Sequence, residues 1–145
     1  MFMGQYDHSL DEKGRLTIPS KFRESLGPQF VVSKGLDGCL YAYPLSEWEK
    51  IGEKLNSLPN NLKEVRKFKR FFMASATTVD CDKQGRVLLS ASLREYAGLE
   101  KDATLVGMND RIEIWDTKKF TDDLAVDDDE MDAIAEKMQD LGFGI

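Results

Sequence analysis

The sequence is poor in the residues that build metal, redox and disulfide chemistry. Its 145 residues include two cysteines, Cys39 and Cys81, and one histidine, His8. Two cysteines without Cys-x-x-Cys spacing make no disulfide framework. One histidine leaves too few soft ligands for a structural zinc site. Both cysteines are therefore read as reduced packing residues, and His8 as a surface or packing residue. His8 stands beside Asp7 and Ser9, but adjacency in sequence does not build a catalytic triad. No Gly-x-Gly-x-x-Gly, no Gly-Lys-Ser/Thr loop and no His-Glu-x-x-His occurs. The expectation is a protein that is not an enzyme, with no cofactor and no metal. Long apolar runs are missing too. Phe71-Phe72-Met73-Ala74-Ser75-Ala76 falls far short of the roughly 20 residues of a membrane span, and the start has neither a basic nor an apolar leader segment. A cytoplasmic place is the expectation.

What is present is globular. Apolar residues make up 41% and charged residues 32%, with 8 Phe, 4 Tyr and 2 Trp to fill a core. That suits one ordinary domain, or two very small ones closely joined. The formal charge of -6 is unevenly spread. Asp122, Asp123, Asp127, Asp128, Asp129, Glu130, Asp132, Glu136 and Asp140 face a single cation, Lys137, beyond residue 120, so the body before them carries +2. An acidic tail on a mildly basic body does not exclude a nucleic-acid partner, because binding follows the local field of a patch.

An internal repeat organises the chain. Asp11-Glu12-Lys13-Gly14-Arg15 recurs as Asp82-Lys83-Gln84-Gly85-Arg86, an offset of 71. Leu16 and Ile18 then meet Val87 and Leu89, Phe22-Arg23-Glu24 meets Leu93-Arg94-Glu95, and Gly27 meets Gly98. After one residue of slippage the offset is 72, and Gly35 meets Gly107, Leu40 meets Ile112, Tyr43 meets Trp115 and Trp48 meets Phe120. Two copies of one small module are expected, at residues 1–57 and 72–125, joined by a basic helical linker at 58–71 and followed by an acidic helix or tail at 126–145.

Each copy reads alike. Strands at 4–10 and 73–81 enter the Asp-x-x-Gly-Arg turn, whose glycine takes dihedrals awkward for other residues. Short strands leave it, Leu16–Ile18 and Val87–Leu89. Short helices follow near 20–26 and 91–97, with Ser20 as N-cap in the first and Ser92 with Glu95 as a capping box in the second. Gly27 and Gly98 suit the helix C-termini. Strands near 29–34 and 39–43, then 103–108 and 111–115, are linked at Asp37-Gly38 and Asn109-Asp110. Trp115 breaks the alternation of its strand, which a dimer face or two-sided burial explains. Ser46-Glu47-Trp48-Glu49 resembles a capping box, opening a helix with Trp48, Ile51, Leu55 and Leu58 at helical spacing. In the linker a helix buries Leu62, Val65, Phe68 and Phe72. It wets Lys63, Arg66, Lys67, Lys69 and Arg70, either as a solvated face or as a nucleic-acid backbone contact. Met131, Ile134, Met138 and Leu141 form the apolar stripe of a last helix. That helix either docks on the body or a neighbouring subunit, or hangs as a loose acidic tail. A calcium loop is excluded, since no glycine holds the sixth position.

The duplicated turn is the strongest local signal. Asp11 and Asp82 can accept backbone N–H groups of the turn and pair with Arg15 and Arg86. A functional reading adds displayed cations, Lys13, Arg15, Lys83 and Arg86, able to reach a nucleic-acid groove. Arginine holds guanine O6 and N7 bidentately, and lysine supplies a phosphate-seeking charge. Residue chemistry alone leaves the structural and functional readings both open.

A wider set of residues carries a resemblance. Met1-Phe2-Met3-Gly4, Leu10-Asp11-Glu12-Lys13-Gly14-Arg15-Leu16-Thr17-Ile18-Pro19-Ser20-Lys21-Phe22-Arg23, Gly35-Leu36-Asp37-Gly38-Cys39-Leu40, Tyr43-Pro44, Trp48 and Arg70-Phe71-Phe72 stand together in one chain. So do Asp82-Lys83-Gln84-Gly85-Arg86, Leu93-Arg94-Glu95-Tyr96-Ala97-Gly98-Leu99 and Ile112-Glu113-Ile114-Trp115. This set resembles the MraZ family, bacterial transcriptional regulators at the head of the division and cell-wall gene cluster, over about residues 1–120. The resemblance implies an α+β, β-rich fold of tandem AbrB-like swapped-hairpin modules forming an intrachain pseudo-dimer, with short helices and a C-terminal helix. It implies self-association into a ring of about eight to twelve subunits and a place on the nucleoid. It also implies a double-stranded DNA partner bearing short direct GTG-containing repeats upstream of the cluster. DNA contact is carried onto Lys13, Arg15, Lys83 and Arg86, and the shaping of the turn onto Asp11, Gly14, Asp82 and Gly85. The second copy departs from the family pattern. It has Leu89-Ser90-Ala91-Ser92 where a proline equivalent to Pro19 is common, and a looser helix start is expected there. The alternative reading is a ring-forming scaffold or protein-interaction module whose turns are purely structural.

Overall fold

The computed structural model describes residues 1–145. The first repeat contributes β1 (Gln5–Ser9), β2 (Arg15–Thr17), α1 (Ser20–Leu26), β3 (Gln29–Lys34), β4 (Leu40–Pro44) and α2 (Leu45–Asn56). The connecting helix is α3 (Lys63–Ser75). The second repeat contributes β5 (Thr77–Asp80), β6 (Arg86–Leu88), α4 (Ala91–Ala97), β7 (Asp102–Gly107), β8 (Ile112–Asp116) and α5 (Thr117–Asp123), and α6 (Asp128–Asp140) ends the chain. The fold is α+β, with two similar modules of strands and helices.

The strands do not stay within their own repeat. One six-stranded sheet runs β1-β7-β8-β4-β3-β5, and β2 pairs with β6 in a separate ribbon. All pairings are antiparallel. Exchange every strand for its repeat equivalent and the order reads the same. β1 of the first repeat lies on β7 of the second, and β5 of the second lies on β3 of the first. At the middle of the sheet Tyr41 faces Glu113, and at the middle of the ribbon Leu16 faces Val87. Each of these pairs joins the two copies of one repeat position.

Alternation sets two apolar layers. Phe30, Val32, Leu40, Ala42, Leu105, Ile112 and Ile114 point to one face, where they meet Phe22 and Leu26 of α1, Leu93 and Ala97 of α4, and Leu16 and Val87 of the ribbon. Tyr41, Tyr43 and Trp115 point to the other, against Leu55 of α2, Phe72 of α3 and Phe120 of α5. Two-sided burial thus accounts for Trp115, whose indole N–H donates to Glu113 at 3.0 Å.

Several local expectations are corrected. The strand expected over 73–81 begins only at Thr77, because α3 carries its helical stripe through Phe72 and ends at Ser75, whose hydroxyl donates to the Phe72 carbonyl. Neither Ser20 nor Ser46 caps a helix. Pro19 and Pro44 take the N-cap positions with the extended backbone that proline presets, and no side chain caps either helix. In the second repeat the cap is Ser90, not Ser92. Its hydroxyl accepts from the Leu93 N–H at 3.3 Å, so the helix start that lacks a proline is capped rather than loose. Leu62 and Phe68 of the connecting segment are exposed, while Phe72 is buried. Asp37-Gly38 lies within a single 3-10 turn rather than a two-residue hairpin.

Candidate nucleic-acid interface

The two Asp-x-x-Gly-Arg turns are built alike. Asp11 Oδ1 accepts from the backbone N–H of Lys13 at 3.0 Å and of Arg15 at 2.9 Å, and its Oδ2 accepts from Arg15 Nε at 2.6 Å. Asp82 Oδ1 accepts from the backbone N–H of Gln84 and of Arg86, both at 2.9 Å, and its Oδ2 accepts from Arg86 Nε at 2.9 Å. These bonds hold both carboxylates below the ordinary aspartate range, the arginine backbone N–H contributing most in each case. Gly14 and Gly85 close the turns at φ 84 and φ 75, a region that favours glycine.

The turns also lock onto one another. The Gly85 carbonyl accepts from the Ile18 N–H at 2.8 Å, and the Gly14 carbonyl accepts from the Leu89 N–H at 3.0 Å. Asp11 Oδ2, already paired with Arg15, lies 3.8 Å from Arg86 Nη1. The structure therefore brings Arg15 and Arg86 to one place. In the ribbon Arg15 faces Leu88 and Thr17 faces Arg86, while Leu16 and Val87 face the core. One outer face thus carries Arg15, Thr17, Arg86 and Leu88. Lys13 and Lys83 are exposed at the tips of the two turns, and neither ammonium group has a bonding partner.

The state of the two guanidinium groups matters most. Only Nε is hydrogen-bonded in each, and the Arg15 and Arg86 side chains keep 32% and 27% of their surface. Neither Nη nitrogen makes a hydrogen bond in either arginine, although Arg86 Nη1 lies 3.8 Å from Asp11 Oδ2, and the anchored Nε fixes the direction of the Nη edge.

Four further residues lie beside the two turns and do not stand out in the sequence as their neighbours. Thr17 and Leu88 share the outer face of the ribbon, a placement that follows from the period-two alternation of Arg-Leu-Thr and Arg-Val-Leu once they are paired. Arg23 of α1 packs over Gly85, and Arg94 of α4 packs over Gly14. Each crosses to the other repeat's turn, and Arg94 Nε donates to the Leu89 carbonyl at 3.1 Å. Their signal is the repeat of Arg23 at Arg94. His8 sits half-buried in β1, and no cluster of His, Cys, Asp or Glu suited to a metal ion is present. Cys39 is buried, with its thiol pushed up to about 12 by that burial, and Cys81 is half-buried. Both are free. No helix is long and apolar enough to cross a membrane.

The fold and this site define a class: a tandem-repeat α+β protein built round two interlocked acidic turns that hold arginines outward. The chain belongs to the MraZ family. The family model described as "MraZ protein, putative antitoxin-like" matches residues 1–71 and again residues 72–142. The chain is 53% identical over 143 residues to a protein of Acetivibrio thermocellus named "Transcriptional regulator MraZ", covering 99% of this chain and 100% of that one. It is 51% identical over 143 residues to the protein of the same name from Syntrophomonas wolfei, at 99% and 100% coverage. For the one from Pelotomaculum thermopropionicum the identity is 50% over 145 residues, covering all of both chains.

Proposed function

We propose that the chain is a transcriptional regulator, not an enzyme, that binds double-stranded DNA sequence-specifically through the outer face of the β2–β6 ribbon. Arg15 and Arg86 read base edges. Lys13 and Lys83, at the turn tips, neutralise phosphates. A two-stranded ribbon fits the major groove, and the free Nη edge of an arginine matches guanine O6 and N7. Asp11 and Asp82 serve as anchors, holding Nε so that the arginine fork is preorganised. The observation that carries this reading is that both guanidinium groups, one from each repeat, are hydrogen-bonded through Nε alone and meet at one half-exposed place beside Asp11. The names of the relatives support the regulatory role.

The same reading covers the architecture. Modules at residues 1–57 and 72–125 form an intrachain pseudo-dimer of AbrB-like swapped hairpins, with 58–71 as linker and 126–145 as acidic terminal segment. The strand order, which survives exchange of the repeats, supports it. Copies of the chain assemble into a ring of about eight to twelve. Each weak contact is then repeated at fixed spacing, and short direct DNA repeats upstream of a division and cell-wall gene cluster are engaged at high effective concentration. Wrapping the site round the ring adds an elastic cost.

A scaffold whose turns are purely structural is the second reading. The observation favouring it is that each arginine already pairs with its own aspartate. The two separate in a selection of bound duplexes from a random pool, run with Arg15→Ala alongside. DNA readout predicts a recurring short repeat for the natural chain and a relaxed one for Arg15→Ala, at unchanged assembly. An unselected pool, or an Arg15→Ala selection identical to that of the natural chain, overturns it.

A further inference from the structure

The last helix is folded but covers nothing. In α6, Met131, Ile134 and Met138 are 45%, 42% and 36% exposed, and Leu141, Phe143 and Ile145 beyond it are more exposed still. No residue of α6 is buried. Asp127 caps it, accepting from the Glu130 N–H at 2.8 Å, so its first turn is closed within the chain. The turn at Leu124–Asp127 is short, and the Val126 N–H donates to the Leu124 carbonyl at 2.7 Å within it. α6 carries six carboxylates and one lysine.

The body holds a cleft with the opposite character. It is a groove of about 330 Å³ between α2 and α3, lined by Tyr41, Ile51, Leu58 and Phe68, with Lys54 and Arg111 also on its lining. Leu58 and Phe68 are 39% and 40% exposed. α3 itself carries five cations against one carboxylate. Arg111 lies over the Tyr41 ring at 4.3 Å from its centroid. Asp110 and Glu113 stand 3.9 Å from its terminal nitrogens, beyond hydrogen-bond length, and its buried Nε has no partner at all.

We propose that the groove between α2 and α3 is the receptor for the acidic terminal helix α6 of a second copy of this chain. The apolar stripe of α6 fills the groove. Its flanking carboxylates meet Lys54 and the cations of α3. Helix-in-groove docking of an amphipathic segment follows the usual i, i+3, i+7 spacing of anchors, which is that of Met131, Ile134 and Met138. Because helix and groove are different surfaces, the contact is head-to-tail and generates rings or filaments rather than a closed two-fold pair. The proposal rests on the self-association reading above and names the surfaces that carry it. It makes the acidic terminus an assembly arm that also keeps its charge away from the ribbon.

Head-to-tail docking has a distinctive test. Full-length natural chain, Ile134→Asp and Phe68→Asp are compared by sedimentation velocity over a concentration series, with circular dichroism to verify folding. Burying a new carboxylate in either partner surface should raise the concentration needed for assembly by about tenfold or more. Mixing the two variants should then restore one contact, because one supplies an intact groove and the other an intact helix. The mixture should stop at a 1:1 dimer. If Phe68→Asp loses its fold, Lys54→Glu takes its place on the groove's lining. Assembly unchanged in both variants, or variants that stay monomeric when mixed, overturns the docking proposal while leaving self-association standing. A natural chain that is monomeric at every concentration overturns both. Arg15→Ala should assemble normally, which keeps the DNA reading separate.

Discussion

Leu16 and Val87 stand opposite one another in the β2–β6 ribbon, both sealed from solvent at 0% and 1% exposure. They are the same position of the two repeats, so the contact is one repeat meeting its own copy. This pair packs beneath the face that carries Arg15 and Arg86. Leu16→Ala should cost about 2–5 kcal/mol of stability, measured by urea unfolding of the full chain. Because both side chains line one space, the double variant with Val87→Ala should cost less than the sum of the singles, by about 0.5–3 kcal/mol. Strict additivity would mean that the two repeats do not share a core at this point.

The turn glycines differ in kind from a helical glycine, and paired substitutions expose the difference. Gly14 has φ 84, and a Cβ there meets Arg94 Cζ at 2.7 Å. The arginine tip can swing aside, but the backbone cannot leave the left-handed region without losing the Gly14 carbonyl as acceptor for Leu89. Gly14→Ala should destabilise by about 1–2 kcal/mol. Gly52 lies inside α2, where an added methyl group would have nothing within 4 Å. Gly52→Ala should stabilise by about 0.5–1 kcal/mol. Thermal midpoints moving in opposite directions are the expected readout.

The repeat itself is legible in the sequence because turn chemistry is local: an aspartate, a glycine and an arginine at fixed spacing state their geometry within five residues. The strands β3, β4, β7 and β8 are legible as short apolar runs between turn residues, but not by alternation, because the sheet is buried on both faces. Strand partners are not. Nothing in Gln5–Ser9 tells whether it lies beside its own repeat or the other, because antiparallel pairing depends on residues about a hundred positions away, Asp102–Val106. The helix caps escape sequence reading where a proline or a neighbouring serine takes the position instead, at Pro19, Pro44 and Ser90. Arg23 and Arg94 are visible as a repeat but not as parts of the site, since each reaches across to the opposite turn.

Acid should loosen the turns in a defined direction. Asp11 and Asp82 ionise more readily in the fold than the ordinary aspartate value of 3.8. A group with a depressed native pKa contributes stability that is complete above the unfolded value and is lost as pH falls through the native one. The contribution of these turns should therefore be flat from neutral pH down to about pH 5 and fall away below 3.8. Carboxyl NMR titration should place both midpoints under that of a free aspartate. In Asp11→Asn with Asp82→Asn, the corresponding part of the acid dependence should disappear from the unfolding curves.

Lysine and arginine at the turn should fail differently on DNA. Lys13 has no partner for its ammonium group, so its contribution in the proposed complex is charge. Lys13→Ala should weaken cognate and scrambled duplexes alike, and should flatten the dependence of log affinity on log salt by about 0.9. Arg15 is aimed by Asp11, so its contribution is direction as well as charge. Arg15→Ala should cost about 1–3 kcal/mol on the cognate duplex and far less on a scrambled one. Arg15→Lys is the sharper variant, because it keeps the charge and removes the planar fork. Its salt slope should match that of the natural chain while its selectivity drops towards that of Arg15→Ala. Titrations of both duplexes at several salt concentrations separate these outcomes, and full selectivity in Arg15→Lys would show that the fork is not what reads the site.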